Sequence, residues 1–142
     1  MLDVWTDGSC LGNPGAGGAA AVSSRFTLTH GDAATTNNAM EMRAVIIALE
    51  KCLVLGCHDV TIITDSVYVK NGTQKWMANW KKNGWKTATG TAVKNKELWE
   101  RLDTLIHLMN IVNWRWVKGH SGDPGNEKAD SFARKIAEMM QS

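Results

Sequence analysis

The sequence contains no apolar run long enough to cross a bilayer. Its longest apolar stretches, around residues 45–49 and 52–55, are broken by Glu50 and Lys51 and fall far short of the about 20 residues a spanning helix needs. The amino-terminal Met1-Leu2-Asp3-Val4-Trp5 has neither a basic leader region nor a long apolar core, so no secretory signal is expected. Cysteine is scarce: Cys10, Cys52 and Cys57 make an odd number without zinc-like spacing, and read as reduced thiols of a cytoplasmic protein. No internal repeat or low-complexity tract is present. Net charge is only +2, which by itself excludes few partners. What remains is 142 residues, 44% hydrophobic and 21% charged, a composition that fits one folded domain over 1–142 with a single core.

The charge is unevenly spread. Between Lys70 and Arg101 lie half of the 16 basic residues, among them Lys75, Lys81, Lys82, Lys86, Lys94 and Lys96, against two acids, Glu97 and Glu100. Trp76, Trp80, Trp85 and Trp99 are interleaved with them. A polyanion with flat sugars or bases would suit such a segment. A solvated basic helix with tryptophans in the core would give the same composition.

Along the chain, short strand patterns alternate with amphipathic helices, which predicts an α/β protein. Residues 3–9 alternate, with Val4 and Thr6 on one face and Trp5 and Asp7 on the other. Residues 12–18 form a Gly-rich turn cluster. Residues 19–23 and 25–30 read as the second and third strands, joined tightly around Ser24, and 31–35 as a loop. A helix follows, with N-cap candidates at Thr36, Asn37 and Asn38, periodic Met40, Ala44, Ile47, Ala48 and Leu55, and Gly56 as its C′ residue. The β-branched run 60–64 predicts a buried strand ending at Asp65. A helix from about Ser66 to Trp80 is expected to break near Asn71-Gly72. Residues 81–93 are polar and turn-rich; 95–109 predict a helix with Leu98, Leu102, Leu105 and Ile106 inward. Residues 111–117 give the last strand, 119–125 a loop, and about 126–140 the last helix. The order β-β-β-α-β-α-α-β-α predicts a mixed sheet with helices on both faces.

Four acids fall at special places in this pattern. Asp7 lies on the first strand, Glu41 in the first turn of the first long helix, Asp65 at the end of the fourth strand, and Asp130 early in the last helix. If the first and fourth strands are parallel neighbours, Asp7 and Asp65 stand side by side at the ligand-binding end of the sheet, and two helices bring Glu41 and Asp130 over them. Clustered carboxylates repel one another unless a cation binds, and hard oxygen donors select magnesium or manganese. Two such ions about 4 Å apart can hold the attacking and leaving oxygens of a phosphodiester. Each acid also has a plainer reading: Asp7 caps a turn, Glu41 serves its helix dipole, Asp65 caps the next helix, and Asp130 is solvated.

The sequence around these acids resembles bacterial type 1 ribonuclease H. Thr6-Asp7-Gly8-Ser9-Cys10 with Gly12-Asn13-Pro14-Gly15 is similar to the first block of that family, and Thr35-Thr36-Asn37-Asn38-Ala39-Met40-Glu41 to the second. Thr64-Asp65-Ser66 resembles the third, and Trp116-Val117-Lys118-Gly119-His120-Ser121-Gly122 with Asn126-Glu127-Lys128-Ala129-Asp130 the fourth. Trp80-Lys81-Lys82-Asn83-Gly84-Trp85-Lys86 looks like the family's basic protrusion, and Val93-Lys94-Asn95-Lys96-Glu97-Leu98-Trp99 continues the match. The blocks come in family order and span nearly the whole chain.

The resemblance implies a ribonuclease H-like fold, a five-stranded mixed sheet whose first three strands are antiparallel, and an endonuclease that hydrolyses the RNA strand of RNA–DNA hybrids. It implies two magnesium ions held by Asp7, Glu41, Asp65 and Asp130, with manganese able to substitute, and products bearing 5′-phosphate and 3′-hydroxyl ends. It implies that His120 assists proton transfer or product release, a task suited to a neutral imidazole. Asn13, Asn37, Asn38 and the backbone near Cys10 would read the RNA sugars, whose 2′-hydroxyl distinguishes RNA from DNA; for Cys10 a simple buried thiol fits equally well. Thr36 and Asn95 would hold a phosphate of the DNA strand and Trp76 would pack on a DNA sugar. Trp80 and Trp85 would build the protrusion from which Lys81, Lys82 and Lys86 grip phosphates. Specificity would be for strand type rather than base sequence. The implied cellular task is removal of RNA primers and R-loop RNA by a monomer with no membrane association.

The chain departs from the family pattern in places. Ala34 stands where an arginine often helps the phosphate pocket, and Val67 stands where a glutamine often follows Asp65-Ser66. The hairpin between the second and third strands is short, and no hybrid-binding module is expected before Met1. Two other readings are weighed against the family's own. A transposase or integrase core would lack the Thr-Asn-Asn-Ala-Met-Glu block and the basic protrusion. A catalytically dead hybrid-binding domain would have lost an acid, and all four are present.

Overall fold

The computed structural model describes residues 1–119 and 121–141. Five strands form one sheet: β1 (Leu2–Cys10), β2 (Gly15–Val22), β3 (Thr27–Thr35), β4 (Asp59–Thr64) and β5 (Ile111–Trp116), in the spatial order β3-β2-β1-β4-β5. The first three are antiparallel, whereas β4 runs parallel to both β1 and β5. The mixed sheet expected from the sequence is therefore present. So is the parallel β1–β4 pair, in which Trp5 lies opposite Ile63, two residues before Asp7 and Asp65 respectively.

Helices cover both faces. On one side α1 (Asn37–Val54) packs on the sheet and carries α4 (Lys96–Leu108) on its back. Their core joins Val4, Val60 and Ile62 of the sheet to Met42, Val45, Ile46 and Leu49 of α1 and to Trp99, Leu102 and Leu105 of α4. On the other side α5 (Pro124–Met139) lies across β1, β2 and β3 with Ala129, Ala133 and Ala137 inward. Its first turn is ordered by Asp123, whose carboxylate accepts from the Asn126 amide at 2.9 Å. Alternation along β1 thus sends Val4 to one helical layer and Trp5 to the other.

Several elements differ from the sequence reading. The 12–18 turn cluster is only partly a turn, because β2 begins at Gly15. A Gly-Ala strand has poor intrinsic propensity, but here α1 and α5 press on it from both sides. At Gly18 any Cβ would meet the Ala133 carbonyl of α5, so the small residues are a requirement of packing. Residues 31–35, expected as a loop, continue β3, pairing Gly31 with Gly18 and Thr35 with Gly15 across a bulge. The interruption expected near Asn71-Gly72 is present as a change of helix type: α2 (Val67–Asn71) passes through one π-helical turn, Gly72–Trp76, into α3 (Met77–Lys82), with Gly72 against the Trp99 ring. In α4 Leu102 and Leu105 are buried as expected and Trp99 joins them, while Leu98 and Ile106 are only partly buried. No described helix is long and apolar enough to cross a membrane.

Candidate active site

Asp7, Glu41 and Asp65 meet at one end of the sheet. A carboxylate oxygen from each lies within 4.8 Å of the others. Asp7 is 3% exposed and Glu41 6%, so two of the three are buried acids. Three separate pieces of local structure bring them there. Asp7 stands on β1 beside the end of β4. Asp65 follows β4 directly, its backbone carbonyl accepting from Trp116 Nε1 of β5 at 3.1 Å and its Oδ2 accepting from the buried Asn126 Nδ2 at 3.4 Å. Glu41 is set by the start of α1. Thr36 caps that helix, accepting from the Ala39 amide at 3.2 Å, and Asn13 of the β1–β2 turn accepts from the Asn37 amide at 2.8 Å.

Gly8 completes the arrangement. Its amide donates to Glu41 Oε1 at 2.8 Å, and a Cβ there would run into the Glu41 backbone, so only glycine lets α1 approach β1 this closely. Ser66, rather than Asp65, caps the following helix, accepting from the Val69 amide at 3.1 Å. This leaves the Asp65 carboxylate free of the capping task that its position in sequence suggested.

The electrostatics follow from burial and crowding. The Asp7 carboxyl is pushed up to about 9, first by burial and then by the charges of Asp65 and Asp130. Glu41 is also raised well above the ordinary range by burial and by Asp7 and Asp65, with the Gly8 amide opposing. Among the described residues no lysine, arginine or histidine forms an ion pair with Asp7, Glu41 or Asp65. Asp130, in the second turn of α5, is close enough to Asp7 to raise it, but its own carboxylate also pairs with Arg134 at 3.0 Å. A set of hard oxygen donors whose negative charge has no protein counter-ion fits a divalent cation such as magnesium or manganese.

The other residues singled out from the sequence fall around this cluster. Asn37 and Asn38 are exposed at the head of α1, beside Asn13. Cys10 is partly buried, its thiol against the Gly15 and Thr35 carbonyls at 3.5 and 3.3 Å. Asn95 precedes α4 in the left-handed region (φ 60) and donates to the Tyr68 hydroxyl at 3.1 Å. Trp76 packs edge-on to Tyr68 and tilted to Trp80, which in turn meets Trp99. Trp80 and Trp85 pack against the main core, and the Trp85 carbonyl accepts from the Val93 amide at 3.1 Å, closing the turn-rich segment on itself. Lys81 and Lys82 are exposed at the end of α3 and Lys86 on that segment, Lys81 pairing with Asp103 at 3.2 Å. His120 lies outside the described residues. Asn126, which touches Asp65, was not singled out from the sequence; the available signal was its place four residues before Asp130, on the same side of α5.

A ribonuclease H family model matches residues 1–138, nearly the whole chain. The chain belongs to the ribonuclease H family. It is 52% identical over 138 residues to a ribonuclease H of Maricaulis maris, a match covering 94% of this chain and 91% of that one. It is 51% identical over 146 residues to ribonuclease HI of Haemophilus influenzae, covering 97% and 90%. Among solved structures it is similar to LC9-RNase H1, a type 1 ribonuclease H with the type 2 active-site motif. That likeness has a TM-score of 0.84 at 32% identity, and covers 99% of this chain and 73% of that one. The protein is thus a ribonuclease H enzyme, a nuclease of the hydrolase class, and its sheet order and helical layers are those of that family's fold.

Proposed function

We propose that this ribonuclease H is an endonuclease that hydrolyses the RNA strand of RNA–DNA hybrids with two divalent metal ions, magnesium or in its place manganese, leaving 5′-phosphate and 3′-hydroxyl ends. The observation that carries the reading is the convergence of Asp7, Glu41 and Asp65 within 4.8 Å, without a protein counter-ion among the described residues, in a chain of this family. Asp7, Glu41, Asp65 and Asp130 would hold the ions, which when bound supply the positive charge needed by the attacking and leaving oxygens of a phosphodiester.

The residues themselves do the positioning. The Gly8 amide orients Glu41, and Asn126 and Trp116 fix the Asp65 side chain and backbone. The Arg134 guanidinium pairs with the Asp130 carboxylate at 3.0 Å. Asn13, Asn37 and Asn38, with the backbone near Cys10, offer donors and acceptors to RNA 2′-hydroxyls beside the acids. Short amides can give and take hydrogen bonds without adding charge. Thr36 and Asn95 would hold a DNA-strand phosphate, with Trp76 packing on a neighbouring sugar. Lys81, Lys82 and Lys86 would grip phosphates further along, and His120 would move a proton or help the product leave.

The chain would act as one catalytic domain over residues 1–142, as a cytoplasmic monomer without base-sequence preference. Its three free thiols agree with a reducing compartment. Removal of RNA primers and of RNA in R-loops is the task this activity would serve.

The test is Asp65→Asn, which keeps shape and removes charge at the least buried acid of the three. Hybrid binding is expected to stay within a few-fold of the parent, while cleavage falls by several orders of magnitude. Cleavage near the parent rate would contradict the assignment of the acids.

A further inference from the structure

A cleft of about 440 Å³ opens between the end of β3, the first two turns of α1 and the start of α4. It contains Asn95, and it borders the capping residue Thr36, the pair to which a DNA phosphate is assigned above. At Ala34, beside them on β3, there is no cation. The cleft nevertheless has one from another element: Arg43, in the second turn of α1, lines it together with Lys96 of α4.

Three observations distinguish Arg43 from an ordinary surface arginine. It is half-buried, and its Nε is sealed from solvent without a hydrogen-bond partner among the described residues. It forms no ion pair there either, although Asp32 and Glu97 line the same cleft. Asp32 is already engaged, its carboxylate accepting from the Ala34 amide at 3.1 Å. The charge of Arg43 is also felt across the cleft wall. His30 on β3 has its pKa lowered, by burial first and then by Arg43, with Asp32 opposing. A half-buried guanidinium that lines a cleft without a carboxylate partner suits an oxyanion. The start of α4 lines the same space, and Asn95 makes no side-chain cap to that helix.

We propose that Arg43 binds the DNA-strand phosphate in this cleft, supplying from α1 the guanidinium that position 34 on β3 lacks. The proposal rests on the hybrid-cleaving reading above. Arg43 holds substrate and does not touch the reacting bond, so its loss should act on KM rather than on kcat.

The experiment compares the parent enzyme with Arg43→Met, Arg43→Lys and the double variant Ala34→Arg/Arg43→Met on one labelled hybrid over a range of salt. Arg43→Met is expected to raise KM about tenfold at unchanged kcat and to lower the slope of log KM against log salt by about one phosphate's worth. Arg43→Lys should keep the salt slope while recovering only part of KM, because a lysine cannot present the planar fork. The double variant should recover KM. A scan of neutral methylphosphonates along the DNA strand should find one position that weakens the parent and leaves Arg43→Met indifferent. Unchanged KM and salt slope in Arg43→Met would overturn the proposal. So would a fall in melting temperature with both kinetic constants intact, which would make Arg43 a structural partner of Asp32. A parent enzyme that does not bind hybrid at all would instead remove the reading on which the proposal stands.

Discussion

At the scale of single residues, Asp7 carries the most consequence. An acid held near 9 in the folded chain but near its ordinary 3.8 when unfolded is protonated in the native state and ionised in the unfolded state between those values. The unfolded chain then binds fewer protons, so stability falls as pH rises through that window. With chelator present, the melting temperature should therefore decline from acidic toward alkaline pH. Asp7→Asn should flatten the decline, and magnesium should restore stability most at the alkaline end, where binding displaces the fewest protons. Thermal melts across pH, with and without the ion, measure this; a chelated protein that stabilises as pH rises would contradict the burial of the acid.

Much of this site was legible in the sequence. Asp7, Glu41 and Asp65 each had a plainer reading alone, and their flanking blocks identified them as a group. Asn126 and Arg43 were not legible in the same way. Their importance comes from what stands opposite them, the Asp65 carboxylate and the α4 cleft, and neither opposition leaves a mark in local spacing. Asp130 was expected in the same set; the structure puts it near enough to Asp7 to raise that acid, and pairs it with Arg134 one helical turn further on.

At the scale of elements, the basic segment that composition left ambiguous turns out to combine both readings. Three of its four tryptophans serve the core: Trp99 is fully buried, and Trp80 and Trp85 pack against the same cluster, while Trp76 is half-buried against Tyr68 and Trp80. Its lysines are surface: Lys81 and Lys82 end α3 and Lys86 lies just beyond it, all three exposed. Replacing the three lysines together by glutamine should raise KM for hybrid and flatten its salt dependence by up to about three phosphates' worth, with little loss of fold. The exposed Lys81–Asp103 pair contributes on the order of 1 kcal/mol at most. Steady-state kinetics at several salt concentrations check this; no change in KM or slope would mean the segment does not touch substrate. The elements themselves were predictable where local chemistry agreed with tertiary packing, as in the β-branched β4 and the Thr36-capped α1. They were not where packing overrode it. The small residues of β2 look like turn chemistry until α1 and α5 are laid on either face. At Asn71-Gly72 the interruption was legible, but its form, a π-helical turn that sets Gly72 against Trp99, was not.

At the scale of the molecule, the sheet does two jobs. Its α1 face builds the larger core and delivers Glu41; its α5 face delivers Asp130 and Asn126; and the parallel β1–β4 pair at its centre sets Asp7 beside Asp65. The acids are therefore fixed by all three layers at once, while the asparagines at the head of α1 and the lysines at and beyond the end of α3 lie on the surface. The central claim is that this frame cuts RNA only where it is paired with DNA, and only with a divalent ion. The most direct measurement is one gel comparing an end-labelled RNA–DNA hybrid, double-stranded DNA and double-stranded RNA, each with magnesium and with chelator. Internal cleavage of the RNA strand of the hybrid is expected with magnesium, with products carrying 5′-phosphate and 3′-hydroxyl ends, and intact strands in every other lane. Cleavage of double-stranded DNA, or of the hybrid in chelator, would contradict that claim.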